Sequence, residues 1–307
     1  MMRFSVEAWA PEYGASVEAD ALDDVSERVD ATIERALADW APIVPASSER
    51  PERIMFVDGV RRVDARVWIH DGARSHPAVC ASVAAGAVEC CGPVARVMDR
   101  PRIERVLVAP EVARAEAIVT RHAGYVVVPT LGDDPSAVNL AIHGRMTALE
   151  QTIAGEHGCD LVVFDGPLRG RNDPTGVGYV KTQHVQYLPD DVVAVLGALR
   201  DGERTPLVLI GDGGPWSRRS WYLRLPGPRT HPLAGVVRCE LPADGTVAGA
   251  VTRADVVSSS LPRFASQAHK ESRAPQNLTP IAGLERRLRH LLGDARFLER
   301  TLRAATR

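Results

Sequence analysis

The sequence predicts an α/β protein built on one mixed β-sheet flanked by helices. Two observations predict this class. Short apolar stretches bounded by Gly, Pro or Asp first follow one another directly, and later they alternate with segments of helical periodicity. Strands that follow directly favour antiparallel pairs, whereas strands separated by helices favour parallel pairs, so both kinds of pair are expected in one sheet. The composition is that of a globular protein, with 307 residues, 45% hydrophobic and 25% charged, and a formal net charge of −2.

The first fifty residues are predicted to form an acidic helical segment. Within residues 21–40 four apolar residues recur at every fourth position, which is the pattern of an amphipathic helix: Val25, Val29, Ile33 and Leu37. Residues 1–52 carry 12 acidic and 4 basic side chains. We therefore divide the chain into an N-terminal acidic helical segment, residues 1–50, and a larger domain, residues 51–307.

The larger domain begins with predicted strands. An apolar stretch runs into Asp58-Gly59, and residues 63–69 then alternate between apolar and mostly polar side chains. This pattern predicts a strand, a tight turn and a second strand. Residues 83–98 predict a third strand with a bulge or turn at Gly92-Pro93.

The remaining elements follow from the same two periodicities. Helices are predicted over residues 110–122, 135–157, 190–199 and 284–304, and strands over residues 125–128, 161–164, 207–210, 221–225 and 236–241. The second of these helices follows Asp133 and Asp134, which suit a helix N-terminus.

Several classes of protein are excluded by what the sequence lacks. Its apolar stretches are far shorter than the roughly 18 residues of a membrane span, and its N-terminus lacks the pattern of a signal peptide, so a cytoplasmic protein is expected. The five cysteines show no C-x-x-C spacing, which argues against disulfides or structural zinc. The sequence contains no P-loop, no H-E-x-x-H and no G-x-S-x-G nucleophile elbow.

Acidic residues at the ends of two apolar strands are the best candidates for chemistry. Asp58 and Asp165 each end such a strand and precede a glycine, so they converge if the strands are neighbours in the sheet. Glu150 lies late on the helix that leads into the second strand. Crowded carboxylates require cations, and oxygen ligands select hard ions such as Mg²⁺ or Mn²⁺. Such a group of carboxylates is typical of the active site of a two-metal-ion phosphodiesterase.

Each acid also has a plain structural interpretation. Asp58-Gly59 is a favoured pair for a hairpin turn, Asp165 suits an ordinary strand exit, and most glutamates on helices are solvated. Asp212 shows how unspecific the pattern is, because it also follows an apolar stretch and precedes a glycine.

Taken together, four stretches resemble the NurA family of prokaryotic DNA nucleases. They are Phe56-Val57-Asp58-Gly59, Glu150, Leu161-Val-Val-Phe-Asp165-Gly166-Pro-Leu168 and Gly178-Tyr-Val-Lys181. The resemblance spans roughly residues 50 to 290 and extends to an aromatic strand at Trp221-Tyr222. It implies an RNase H-like core and a homodimer with a central channel. It also implies a Mn²⁺ or Mg²⁺ site held by Asp58, Glu150 and Asp165.

The resemblance also assigns roles to other residues. It gives Lys181 a phosphate-facing role and Tyr222 a supporting one, although Tyr222 could simply pack in the sheet. The histidine that the family carries near the C-terminus is replaced here by Gly283. His269 and His290 are the substitutes, with His269 slightly favoured.

The residues around the first Asp-Gly pair add a possible contact with DNA. Arg61 and Arg62 follow that pair directly and either steer a DNA backbone or are exposed hairpin charges.

The predicted function is therefore a metal-dependent deoxyribonuclease. By resemblance it is a 5′–3′ exonuclease and single-strand endonuclease, and it works with a HerA-type hexameric ATPase in DNA end resection and repair. The altered histidine region favours one alternative, a non-catalytic adaptor that docks on a DNA-translocating ATPase. An RNase H-like enzyme acting on RNA is a further alternative, since nothing in the sequence reads a 2′-hydroxyl.

Overall fold

The fold is a large mixed β-sheet with helices on both faces. The computed structural model describes residues 3–6, 28–46, 50–72, 74–98, 100–168, 171, 173–181, 187–214, 217–229, 232–271 and 273–306. The strands in these residues are β1 (Arg3–Val6), β2 (Val29–Asp30), β3 (Arg53–Asp71), β4 (Arg74–Cys91), β5 (Val94–Val97), β6 (Arg102–Pro110), β7 (Ile118–Val119), β8 (Gly124–Thr130), β9 (Leu161–Asp165), β10 (Gly176–Val180), β11 (Val208–Ile210), β12 (Arg218–Arg224) and β13 (Val236–Pro242). The α-helices are α1 (Pro135–Gly155), α2 (Val195–Ala198), α3 (Val247–Ser260), α4 (Thr279–Leu291) and α5 (Ala295–Ala305).

The strand order places β9 in the middle of the sheet. The order is β2-β11-β12-β13-β10-β9-β3-β4-β6-β8-β7, with β1 added to β3 and β5 added to β4. β9 runs parallel to both of its neighbours, β3 and β10, and β6 runs parallel to β8. The other pairs are antiparallel. Because β3 and β9 run in the same direction, the residues that follow their paired segments lie on the same side of the sheet.

Helices cover both faces of this sheet. On one face α1 packs through Leu149 and Ile153 against β3, β4, β6 and β9. On the other face α3 and α4 pack through residues such as Val257 and Leu284, and α5 packs through Leu302. Within the described residues no helix is both long and apolar enough to span a membrane.

β3 is one long strand, so the predicted turn at Asp58-Gly59 is wrong. Asp58 pairs with Gly86 of β4 in the middle of the ladder, and the hairpin turns at Gly72, where φ is +60°. The local Asp-Gly signal fails because the residues on both sides of the pair continue the same ladder with β4.

A β-bulge at Asp64 interrupts that ladder. Val63 pairs with Ala81 and Ala65 with Cys80, so Asp64 is an extra residue. Its buried carboxylate accepts hydrogen bonds from Ser82 and the Tyr125 hydroxyl, and Arg62 donates to it at 2.9 Å. A bulge of this kind shifts the alternation of side chains between the two faces.

Four predicted helices differ from the structure. In residues 28–40 there is instead β2 and a 3₁₀ helix, Leu37–Asp39, while residues 21–27 lie outside the described part. Residues 110–122 form a short 3₁₀ turn followed by β7, and residues 190–199 contain only the four-residue α2. The predicted helix 284–304 is two helices, because Gly293 takes a φ of +79° between α4 and α5.

The segment of residues 28–46 is attached to the sheet through a buried arginine. Arg204 donates to both carboxylate oxygens of Glu34, at 2.9 and 3.0 Å, and to Asp255 of α3 at 2.6 Å. Val29 also pairs with Ile210 of β11. The division of the chain at residue 50 stays a prediction.

Candidate functional site

Asp58 and Asp165 lie next to each other at the end of the parallel pair β3–β9. Val57 pairs with Phe164, and each aspartate is the next residue on its strand. Neighbouring strands lie about 4.8 Å apart, and side chains alternate between the faces. Both aspartates therefore face the layer of α3 and α4. The two strands are thus neighbours, which is the condition for the predicted convergence of the carboxylates.

Asp58 is in an unfavourable environment for a charge. It is only 5% exposed, and burial raises its pKa well above the ordinary value. The negative charge of Asp165 raises the pKa further, whereas the positive charge of Lys181 opposes the rise. Since burial disfavours the ionised form, Asp58 favours either a proton or an additional cation beside it.

Lys181 is a cation in direct contact with this pair. Its Nζ donates to Asp165 Oδ2 at 2.6 Å and to Asn277 Oδ1 at 3.0 Å. Asn277 is fully buried, and the neighbouring Gln276 carbonyl accepts a hydrogen bond from the Tyr179 hydroxyl at 2.6 Å. This bond ties the segment that carries Asn277 to β10. Lys181 is therefore held from two sides.

Glu150 lies on the opposite face of the sheet. A Cβ atom built on Gly59 would be 2.6 Å from Glu150 Oε1, so Gly59 permits the close approach of α1. Because neighbouring residues of a strand point to opposite faces, Glu150 and the Asp58 side chain are separated by the backbone of β3.

The Glu150 carboxylate is already paired. Arg171 donates to Glu150 Oε2 through Nε at 3.1 Å and through Nη2, and both side chains are buried. The guanidinium also stacks on the Phe164 ring, 5.3 Å from its centroid. Burial raises the pKa of Glu150, and the charge of Arg171 opposes this rise.

The residues fit a divalent ion at Asp58 and Asp165. Among the described residues, Lys181 is the cation that opposes their two charges, and Asp165 Oδ1 is buried without a hydrogen-bond partner. Carboxylate oxygens suit Mg²⁺ or Mn²⁺, and Mg²⁺ is commonly held by one or two carboxylates plus phosphate oxygens. In the described part of the chain, no three His, Cys, Asp or Glu side chains form a group that could hold a metal. Glu150 therefore does not complete the set while Arg171 binds it.

The other predicted site residues lie away from this pair. Tyr222 lies on β12, where it pairs with Arg238 of β13 and faces the α1 side of the sheet, and burial raises its pKa. His269 is exposed in a turn, and His290 is exposed in the last turn of α4. No hydrogen bond or ion pair of the described residues joins either histidine to Asp58 or Asp165.

The arginines predicted to steer DNA both make contacts within the fold. Arg62 donates to Asp64 and to the carbonyls of Leu292 and Gly293 at the end of α4, and Arg61 donates to Asn139. Sequence reasoning missed Arg171 and Asn277. Neither has a local signal, since both act through partners far away in the chain.

Comparisons with known proteins identify the fold. The chain is similar to the crystal structure of the NurA nuclease from Sulfolobus solfataricus, with a TM-score of 0.50 and 12% sequence identity over 82% of this chain and 84% of that one. No protein-family model and no curated protein sequence matches the chain. The resemblance predicted from the sequence is therefore confirmed as a NurA-like fold.

Proposed function

We propose that this protein is a metal-dependent nuclease that hydrolyses phosphodiester bonds in DNA. The observation that carries the proposal is the pair of carboxylates, Asp58 and Asp165, which directly follow the paired segment of the adjacent parallel strands β3 and β9 in a NurA-like fold. The RNase H-like character of the core remains part of this proposal.

Asp58 and Asp165 would hold the ion, Mn²⁺ or Mg²⁺. When bound, such an ion lowers the pKa of water and neutralises charge on a leaving oxygen. Lys181 presents a positive charge beside the carboxylates with 16% of its side chain exposed, which suits contact with a phosphate oxygen. The two-ion reaction predicted from the sequence needs Glu150 as a further ligand, and Glu150 would first have to leave Arg171.

The wider role follows the predicted resemblance. We propose that the protein acts as a homodimer with a HerA-type hexameric ATPase in DNA end resection, as a 5′–3′ exonuclease and single-strand endonuclease. The supporting role of Tyr222 and the use of His269 or His290 are proposals of the same kind.

Cleavage of 5′-labelled single-stranded DNA by the purified protein, with Mn²⁺ or with EDTA, tests the proposal. We expect the wild type to cleave the DNA with Mn²⁺ and not with EDTA, and we expect Asp58→Asn and Asp165→Asn to lose this cleavage. Asp212→Asn is the matched control, because Asp212 is an exposed Asp-Gly aspartate at the end of β11. Mn²⁺-dependent cleavage that persists in Asp58→Asn would contradict the site. Preference for labelled RNA would favour the RNA-cleaving alternative.

The non-catalytic adaptor is the second candidate. The buried pair of Glu150 and Arg171 favours it, because this pair withholds one of the three predicted ligands. An adaptor would cleave DNA neither with Mn²⁺ nor with EDTA, and it would still bind the ATPase.

A further inference from the structure

We infer that the site binds one divalent cation per chain, and that Lys181, held by Asn277, supplies at Asp165 the positive charge that a second ion would otherwise supply. This inference rests on the proposed function and replaces its two-ion form with one ion and one lysine.

Within the described residues, no third carboxylate completes a ligand set on this face, because the nearby Glu285 of α4 pairs with Arg273 and Arg289. Asp58 and Asp165 point towards α3 and α4, whereas Glu150 lies behind β3. Arg171 holds Glu150 with two nitrogens, and both side chains are at most 3% exposed. Releasing Glu150 would leave a buried guanidinium without its carboxylate, which is strongly unfavourable.

The space beside Asp165 is already occupied by a fixed cation. Lys181 Nζ lies 2.6 Å from Asp165 Oδ2. A lysine on a flexible stem could swing away, but here Asn277 accepts a second hydrogen bond at 3.0 Å. Asn277 is 0% exposed, and its segment is tied to β10 through the Tyr179 hydroxyl. Asp165 Oδ1 remains as the oxygen available to an ion.

The balance of charge at the site also favours a single divalent ion. Two carboxylates and one ammonium leave a formal charge of −1. One divalent ion changes this to +1, which matches the single negative charge of a phosphodiester. A second ion would give +3 among side chains that are mostly buried, where like charges repel strongly.

The experiment measures Mn²⁺ binding to the full chain, with free Mn²⁺ detected by electron paramagnetic resonance and without any nucleic acid. We expect one bound Mn²⁺ per chain. Lys181→Met should bind it at least tenfold more tightly, because a neighbouring positive charge is removed. Lys181→Arg should retain the affinity of the wild type within about threefold. Lys270→Met is the matched control, since Lys270 is exposed in a turn and is the other lysine of the chain.

The possible results separate this inference from the proposed function. Two Mn²⁺ ions per wild-type chain would overturn the inference and leave the nuclease proposal intact. An unchanged affinity in a folded Lys181→Met would overturn the role of the lysine. Absence of Mn²⁺ binding would overturn both. If Lys181→Met does not fold, the number of anomalous peaks in Mn²⁺-soaked crystals of the wild type decides, with one peak expected and two contradicting the inference.

Discussion

Replacing Glu150 with glutamine should lower the free energy of unfolding of the protein substantially. The Glu150 and Arg171 side chains are 2% and 3% exposed, so the substitution leaves a buried guanidinium without its carboxylate. Breaking a buried pair in this way costs about 3–5 kcal/mol. For a chain of this size, the melting temperature should fall by about 10 °C. Urea unfolding followed by circular dichroism at neutral pH measures the free-energy change.

Two variants make this test specific. Glu156→Gln is the control on the same segment, because Glu156 pairs with Arg102 at the surface and such pairs contribute about 0–1 kcal/mol. The double variant Glu150→Met, Arg171→Met should recover most of the lost stability, since apolar groups of similar volume can replace a buried pair. A folded Glu150→Gln within 1 kcal/mol of the wild type would refute the buried pair as described.

Three further predictions follow from the structure. Gly59→Ala places a Cβ within 2.6 Å of α1 side chains and should cost about 1–3 kcal/mol in urea unfolding, whereas Gly144→Ala, where a Cβ meets nothing, should not destabilise. Without metal, Asp58→Asn should be more stable than the wild type at alkaline pH. The raised pKa makes wild-type stability fall as the pH rises above the ordinary Asp value of about 4, so the gap in melting temperature should close on acidification, and a constant gap would contradict this. Arg286 and Arg287 are exposed on α4, and replacing both with alanine should reduce the salt dependence of DNA binding, measured by fluorescence anisotropy, by about two units of slope.

Elements with strong local signals could be predicted from the sequence. Helix α1 begins after Asp134, whose side chain accepts a hydrogen bond from the Ala137 amide, and its C-terminal end is within two residues of the prediction. Strand β9 is an apolar run that ends at Asp165. The predicted secondary structure was wrong where contacts with residues far away in the sequence determine the structure of a segment. Val29 fits a helical spacing, yet it pairs with β11.

The carboxylate pair could also be predicted, but its surroundings could not. Asp58 and Asp165 stand at recognisable strand positions. The partner of Glu150 depends on how α1 crosses β3 and on the path of the chain to Arg171, which no periodicity encodes. Asn277 reaches Lys181 from 96 residues away. The sequence therefore predicted which two aspartates lie together, but not which charged side chains surround them.

Because Asp64 is an extra residue, the face towards which a side chain of β3 points depends on whether it lies before or after this bulge. Before it, even-numbered apolar side chains such as Phe56 face the α3–α5 layer, and after it odd-numbered ones such as Val67 do. Deleting one residue between 59 and 63 would let Asp64 take a regular place in the ladder, so Asp58 and Val67 would both keep the faces they have now. Deleting two residues would leave β3 one residue short of its partner, and the part on one side of the deletion would turn to the opposite face.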